Sequence, residues 1–319
     1  MDDRRAIRAV ALLSVLAWFG FGTVPARAAD ATAIPFTARA CCEIRALSAR
    51  HPDPALRGPD DLAGRLCEPL LLPREYDFAR DVIDIDPERY SGFFYVSART
   101  RFIDAVLERA LADGIGQVVI LGAGLDSRAW RFGARRPAAV FFEVDRPAAV
   151  AEKRRRVARA LAGRAANVRF VALDFDEGTL ARALPAAGWD AARRTLFIVE
   201  GVTMYVSAAG NDDTFEFIGT RAARGSRVVF DYLWRRVAQR DTAGLYAASS
   251  AAAGVASAGE PFVSGWTPED VPVFVTRHGL EVIEHLGADD LERRELTGSD
   301  GRPDGRIPPW YGIVLARRR

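Results

Sequence analysis

The chemistry-bearing residues of this sequence fall at the ends of apolar runs. Val118-Val119-Ile120-Leu121 breaks into Gly122-Ala123-Gly124, a second run ends in Asp145, a third in Asp174-Phe175 and a fourth in Glu200-Gly201. Two glycines one residue apart after a buried strand let the backbone approach a nucleotide-like ligand, with N–H groups free at the next helix start. A carboxylate ~20 residues beyond such a loop accepts hydrogen bonds from ribose hydroxyls, and Asp145 lies 21 residues after Gly124. Asp174 is suited to accept from an exocyclic adenine amine, with the Phe175 ring against the base. Glu200 is suited to an amino group. A carboxylate on the same ligand would call for an arginine, whose planar fork pairs with it bidentately. Any one acidic residue at a strand end reads first as a helix cap. Four such strand ends in one layer read as a site.

The glycine turn bears on which ligand it serves. A dinucleotide fingerprint places a third glycine or alanine where this chain has Ser127, and no lysine or arginine lies inside the turn. This points to a cofactor without a pyrophosphate, for which S-adenosyl-L-methionine is the candidate.

These residues need a sheet to bring them together. Apolar runs at 117–121, 139–144, 168–173, 195–199 and 227–232 alternate with helical stretches, and Pro147 suits a first helical turn. Continuous apolar strands separated by helices predict an α/β, doubly wound, mostly parallel sheet covered on both faces. The last runs, 280–286 and 312–316, are joined by a stretch rich in charge, Gly and Pro. They predict an antiparallel closing pair.

Ahead of the sheet, 36–72 is helical but broken by Pro52, Pro54 and Pro59, with His51 expected as a polar surface residue of that turn. The stretch 90–113 has apolar recurrence at Phe94, Ala98, Phe102, Ala105, Leu107 and Leu111, and predicts a helix that carries Arg99 and Arg101. Helix geometry alone would leave both arginines exposed. Residues 240–260 are rich in Ala, Ser and Gly without a large apolar anchor, and read as a mobile lid or substrate cap. The expected division is a helical region at 30–112 and a cofactor-binding domain at 113–319 with an insertion at 240–270.

A net charge of +2 over 319 residues gives no broad electrostatic reason to expect nucleic acid. Lys153-Arg154-Arg155-Arg156 reads as a solvated helix face, and the three terminal arginines as a frayed end. Cys41, Cys42 and Cys67 form neither a disulfide framework nor a zinc pattern, and the adjacent pair reads as helix packing. Residues 1–28 look like a signal peptide: Arg4, Arg5 and Arg8 precede an apolar run, and Ala26-Arg27-Ala28 suits cleavage. A membrane anchor and a start assigned too far upstream are the other readings. No stable span is expected from a glycine-broken run shorter than the ~20 apolar residues a span needs.

The ordered motifs Val119-Ile120-Leu121-Gly122-Ala123-Gly124-Leu125-Asp126-Ser127-Arg128, Phe142-Glu143-Val144-Asp145-Arg146-Pro147, Val171-Ala172-Leu173-Asp174-Phe175 and Glu200-Gly201-Val202-Thr203-Met204-Tyr205 resemble those of the leucine carboxyl methyltransferase family. They are most similar to its bacterial, polyketide-type S-adenosyl-L-methionine-dependent O-methyltransferases. The resemblance runs from about residue 38 to 315, with Ser127 where threonine is commoner. It implies a Rossmann-like class I methyltransferase sheet with S-adenosyl-L-methionine held by Gly122, Ala123, Gly124, Asp145, Asp174, Phe175 and Glu200. Arg99-Thr100-Arg101-Phe102 matches the family's arginine helix and makes Arg99 the clamp for the methionine carboxylate.

The implied chemistry is in-line methyl transfer, driven mainly by alignment and exclusion of water. A carboxylate acceptor is ionised at neutral pH and needs no base, whereas an alcohol or phenol does. With three histidines in the chain, and His278 and His285 reading as structural, the balance leans to a carboxylate or acidic phenol on a small molecule or a protein C-terminus. Tyr205 is the expected catalytic, acceptor-orienting residue. Two alternatives stay open: a nicotinamide-dependent oxidoreductase, and an exported, non-catalytic binding protein on the same fold.

Overall fold

The computed structural model describes residues 34–67, 91–162, 167–174 and 178–319. Residues 1–28, read above as signal-like, lie outside them, as does Phe175. Among the described residues no helix is long and apolar enough to cross a membrane.

Seven strands form one sheet in the order β3-β2-β1-β4-β5-β7-β6. They are β1 Gln117–Leu121, β2 Val140–Asp145, β3 Val168–Ala172, β4 Thr195–Val199, β5 Arg227–Leu233, β6 Leu280–Gly287 and β7 Tyr311–Arg318. The first five run parallel, and β7 lies antiparallel between β5 and β6. The expected doubly wound sheet with its antiparallel last strand is therefore present. Strand order reverses between β1 and β4, so a crevice opens at their carboxyl ends. The register sets the depth of that crevice. Leu121 stands opposite both Val144 and Val199, so the residues that follow the three strands emerge in one layer.

Both faces of the sheet are covered, which is why its central strands are mainly apolar, with Glu143 in β2 and Asp231 in β5 as buried exceptions. Val118, Ile120 and Ile198 point to a core shared with Phe102, Ile103 and Val106 of α3 (Ser91–Ala112). That core also takes in Ile44 and Leu47 of α1 (Phe36–Ser48) and Leu66 of α2 (Ala63–Leu66), so the N-terminal helices share a core with the sheet. On the other face, Val119, Phe197 and Val199 meet Phe215 and Ile218 of α7 (Ala208–Arg221). The remaining helices flanking the strands are α4 Arg128–Gly133, α5 Pro147–Ala160 and α6 Leu180–Ala186.

Several expectations are corrected. Cys42 and Cys67 form a disulfide across 25 residues, leaving Cys41 as the free cysteine among the described residues. Three cysteines at unequal spacing carry no pairing information; the pair is made by the packing of α1 against α2. Closing a loop of this length stabilises the fold by about 3 kcal/mol, chiefly by restricting the unfolded chain. Dithiothreitol is therefore expected to lower the melting midpoint by roughly 6 °C. A Cys42→Ala/Cys67→Ala double variant should not respond to it; identical wild-type melts with and without reductant would contradict the assignment.

His51 is buried, not at the surface, with its Nδ1 accepting from the Asp53 N–H at 3.1 Å. Lys153 is buried too, so the basic run is not wholly a solvated face. The segment after β5 is a folded element. It comprises α8 Arg235–Ala238 and α9 Ala248–Ser257, with α10 Asp270–Arg277 beyond. Small side chains let α9 bury Ala248, Ala251, Gly254 and Val255 closely, and the following Glu260 accepts from the N–H groups of Phe36 and Thr37 at the start of α1. The charged link between β6 and β7 includes a further helix, α11 Ala288–Glu295.

Candidate active site

The glycine loop is built by two residues that adopt positive φ, Gly122 at +61° and Gly124 at +40°. A methyl group on Gly122 would meet Val202 Cγ2 at 2.5 Å, so the turn passes too close to the end of β4 for any side chain. Between them, the Ala123 N–H donates to the Val144 carbonyl at 3.1 Å. The carboxylate of Asp145 then reaches back across the layer: Oδ2 accepts from the Gly124 N–H at 2.7 Å, and Oδ1 from the Arg146 N–H at 2.8 Å. Loop and carboxylate thus form one unit in the crevice.

The loop rests on α5 and α1. Lys153 Nζ lies 2.7 Å from Glu143 Oε2 and donates to the Ala123 carbonyl at 3.3 Å. Burial drives the Glu143 carboxyl up to about 7 despite that lysine. From above, Arg45 Nη2 donates to the Leu125 carbonyl at 2.9 Å, and Ala38 of α1 lies over Gly124.

Beyond β4, Glu200 is held by two arginines. Arg99 Nε donates to its Oε1 at 2.9 Å and Arg128 Nη1 to its Oε2 at 2.5 Å. Burial alone would raise the Glu200 carboxyl, but Arg128, Arg99 and Arg45 together hold it at about 2. Arg128 also donates to Asp104 at 2.6 Å and to Asp126 at 2.5 Å. Asp126, likewise opposed by burial, is held at about 2 chiefly by Arg128.

Arg99 is buried, contrary to the exposure that helix geometry alone would give it. Its Nη1 donates to Asp231 Oδ2 at 2.6 Å, and its Nη2 to the Cys41 thiol at 3.8 Å. Tyr95, one turn earlier on the same face of α3, donates its hydroxyl to Asp231 Oδ2 at 2.8 Å and stacks its ring on Tyr311 at 3.7 Å. Tyr205 follows in the turn after β4, half-buried, with its ring 5.6 Å from Phe262. Burial, reinforced by Tyr311, Cys41 and Glu260, pushes its phenol well above the ordinary range.

The fold therefore brings Gly122, Ala123, Gly124 and Asp145 into one contact set, and Arg99 and Glu200 into another. Asp174 follows β3, where the Leu173 N–H donates to the Asp145 carbonyl at 2.9 Å, so it shares the layer. Sequence reasoning did not pick out Asp231, Arg128, Asp126, Tyr95, Tyr311 or Cys41. One signal was present: Asp231 is a lone charge inside the apolar run Val228-Val229-Phe230-Asp231-Tyr232. The histidines are engaged elsewhere, His278 with the Phe274 carbonyl and His285 with the Tyr232 hydroxyl, as their structural reading required.

With this geometry established, comparison with known proteins adds its lineage. The profile of the family described as leucine carboxyl methyltransferase matches residues 40–219. A relative from Mycolicibacterium vanbaalenii, described as an inferred S-adenosyl-L-methionine-dependent methyltransferase, is 32% identical over 306 residues, covering 90% of this chain and 94% of its own. A similarly described protein from Streptomyces coelicolor is 34% identical over 239 residues, covering 72% of this chain and 77% of its own. Two solved structures share the fold. A DUF574 family protein from Streptomyces avermitilis superposes with a TM-score of 0.54 at 17% identity, covering 73% of this chain and 87% of its own. A Thermobifida fusca protein described as an inferred methyltransferase does so with 0.52 at 18% identity, covering 93% of this chain and all of its own.

Proposed function

This chain belongs to the leucine carboxyl methyltransferase family and is an S-adenosyl-L-methionine-dependent methyltransferase; we propose that it methylates oxygen, on the carboxylate of a small molecule. In this reading Gly122, Ala123 and Gly124 approach the cofactor with their backbone, Asp145 receives the ribose hydroxyls, and Asp174 with Phe175 receives the adenine. The methionine end of the cofactor is a zwitterion, and a paired arginine and glutamate match it. Its carboxylate goes to Arg99 and its ammonium to Glu200. Arg99 is also paired with Asp231, and Glu200 with Arg128.

S-adenosyl-L-methionine, when bound, would supply an activated sulfonium methyl that an acceptor oxygen could take, with a neutral thioether as the leaving group. A carboxylate acceptor carries no proton to remove. The observation that carries the reading of an acceptor needing no base is the engagement of His278 with the Phe274 carbonyl and of His285 with the Tyr232 hydroxyl, which leaves neither as a base for the crevice. Burial also holds the Tyr205 phenol well above its ordinary range, so it stays protonated at neutral pH.

Tyr205→Phe is expected to lower turnover about tenfold, the range for one orienting hydrogen bond, and to leave calorimetric cofactor affinity within about twofold. Equal loss of both would remove Tyr205 from the acceptor side. The acceptor class is read from the product. Carboxylate methylation yields esters that release methanol in mild alkali, whereas phenol or alcohol methylation yields ethers that do not.

A further inference from the structure

We infer that Asp231 is a positioning residue that aims Arg99 at the cofactor's carboxylate, an inference that rests on Arg99 being that carboxylate's partner. An aspartate inside the apolar stretch of a central strand is costly to bury unless it is paired and hydrogen-bonded. Asp231 is fully buried, and its carboxylate accepts three hydrogen bonds. Oδ2 accepts from Tyr95 Oη at 2.8 Å and Arg99 Nη1 at 2.6 Å, and Oδ1 from the Gly201 N–H at 2.6 Å. Its own backbone carbonyl accepts from Thr203 Oγ1 at 2.6 Å. One residue thereby ties α3 to the turn that follows Glu200.

The geometry determines which edge of the guanidinium is left for a ligand. Nε is committed to Glu200 and Nη1 to Asp231, whereas Nη2 meets the sulfur of Cys41 at 3.8 Å. A thiol is a weak acceptor, and an incoming carboxylate replaces it with a charge-assisted bond. Gly201, at φ +65°, presses the turn against the same guanidinium; a methyl group there would lie 3.4 Å from Arg99 Nη1. Without the Asp231 anchor, Arg99 keeps the Glu200 contact but can rotate about it. The aim of Nη2 at an incoming carboxylate depends on that rotation being blocked. The Tyr95 ring, stacked on Tyr311 with an interplanar angle of 8°, fixes the third donor in place.

The test uses two ligands that differ only at the end in question. S-adenosylhomocysteine carries the amino-acid end; 5′-methylthioadenosine has the same nucleoside and thioether without it. In the full chain, Asp231→Asn keeps the shape of the side chain and removes its charge. It is expected to weaken calorimetric binding of S-adenosylhomocysteine at least tenfold and to leave 5′-methylthioadenosine within twofold. Tyr95→Phe, which removes only a hydroxyl, should give a smaller loss of the same selectivity and serves should Asp231→Asn fail to fold. Parallel loss of both ligands, or unchanged S-adenosylhomocysteine binding in these variants, would overturn the proposal. Arg99→Ala separates the two levels. If it reduces the selectivity while Asp231→Asn does not, only the role of Asp231 falls; if it leaves the selectivity intact, the assignment of Arg99 falls, and with it that of Asp231.

Discussion

Asp145→Ala is expected to weaken S-adenosyl-L-methionine binding by at least a hundredfold. A charged acceptor contributes about 1.5–3 kcal/mol per hydrogen bond, and the ribose offers two hydroxyls to this carboxylate, so a loss of about 3 kcal/mol is the lower end. The change also removes the acceptor of the Gly124 N–H at 2.7 Å, so the glycine loop loses a strut as well as its ligand partner. Asp145→Asn keeps an acceptor oxygen without its charge and should fall between wild type and alanine. Calorimetric titration decides the matter: a change of less than threefold in the alanine variant would exclude Asp145 from the cofactor site. The thermal midpoint of the unliganded variant should stay within a few degrees of wild type, because Asp145 is half-buried and lies at a strand end.

The second large effect is on stability. Arg128→Ala is expected to cost about 3–5 kcal/mol, because it leaves buried Asp126 without its ion-pair partner and takes one of two arginines from each of Asp104 and Glu200. At this chain size that corresponds to a melting midpoint lower by about 8 °C. The effect carries a pH signature. Asp126 and Glu200 are held at about 2 in the folded protein, below the ordinary value of about 4. Their contribution to stability is thus present above about pH 4 and is lost as pH falls through about 2. The gap between wild type and Arg128→Ala should be widest at neutral pH and close on acidification. A gap that stayed constant down to pH 2 would mean that packing volume, and not charge, is what Arg128 supplies.

How far these effects were legible from the sequence differs residue by residue. The bounds of β1 and β4 were readable because buried central strands are unbroken apolar runs with turn residues at both ends. Asp145 was readable from its place at the end of the second run, 21 residues after Gly124. Arg99 was readable only through its motif, since helical spacing gave no reason to bury it. Arg128 was quoted within the glycine motif, yet nothing local distinguishes an arginine that neutralises three carboxylates from one that faces water. The disulfide was hidden because pairing of Cys42 with Cys67 depends on how α1 lies on α2, not on spacing. That the Ala-rich stretch contains α9 was not legible because small residues look unanchored in sequence, although they are the ones that allow a helix to approach closely.

By itself, then, the sequence determined the alternation of strands and helices, and with it the sheet and the layer in which Gly122, Gly124, Asp145 and Glu200 emerge. Those features follow from period and polarity along short windows, which are local properties. Tertiary structure alone decided which charges neutralise one another. Asp231 meets Arg99 across 132 residues and Glu200 meets Arg99 across 101. Ion pairs between distant segments depend on distances in space that no local pattern encodes.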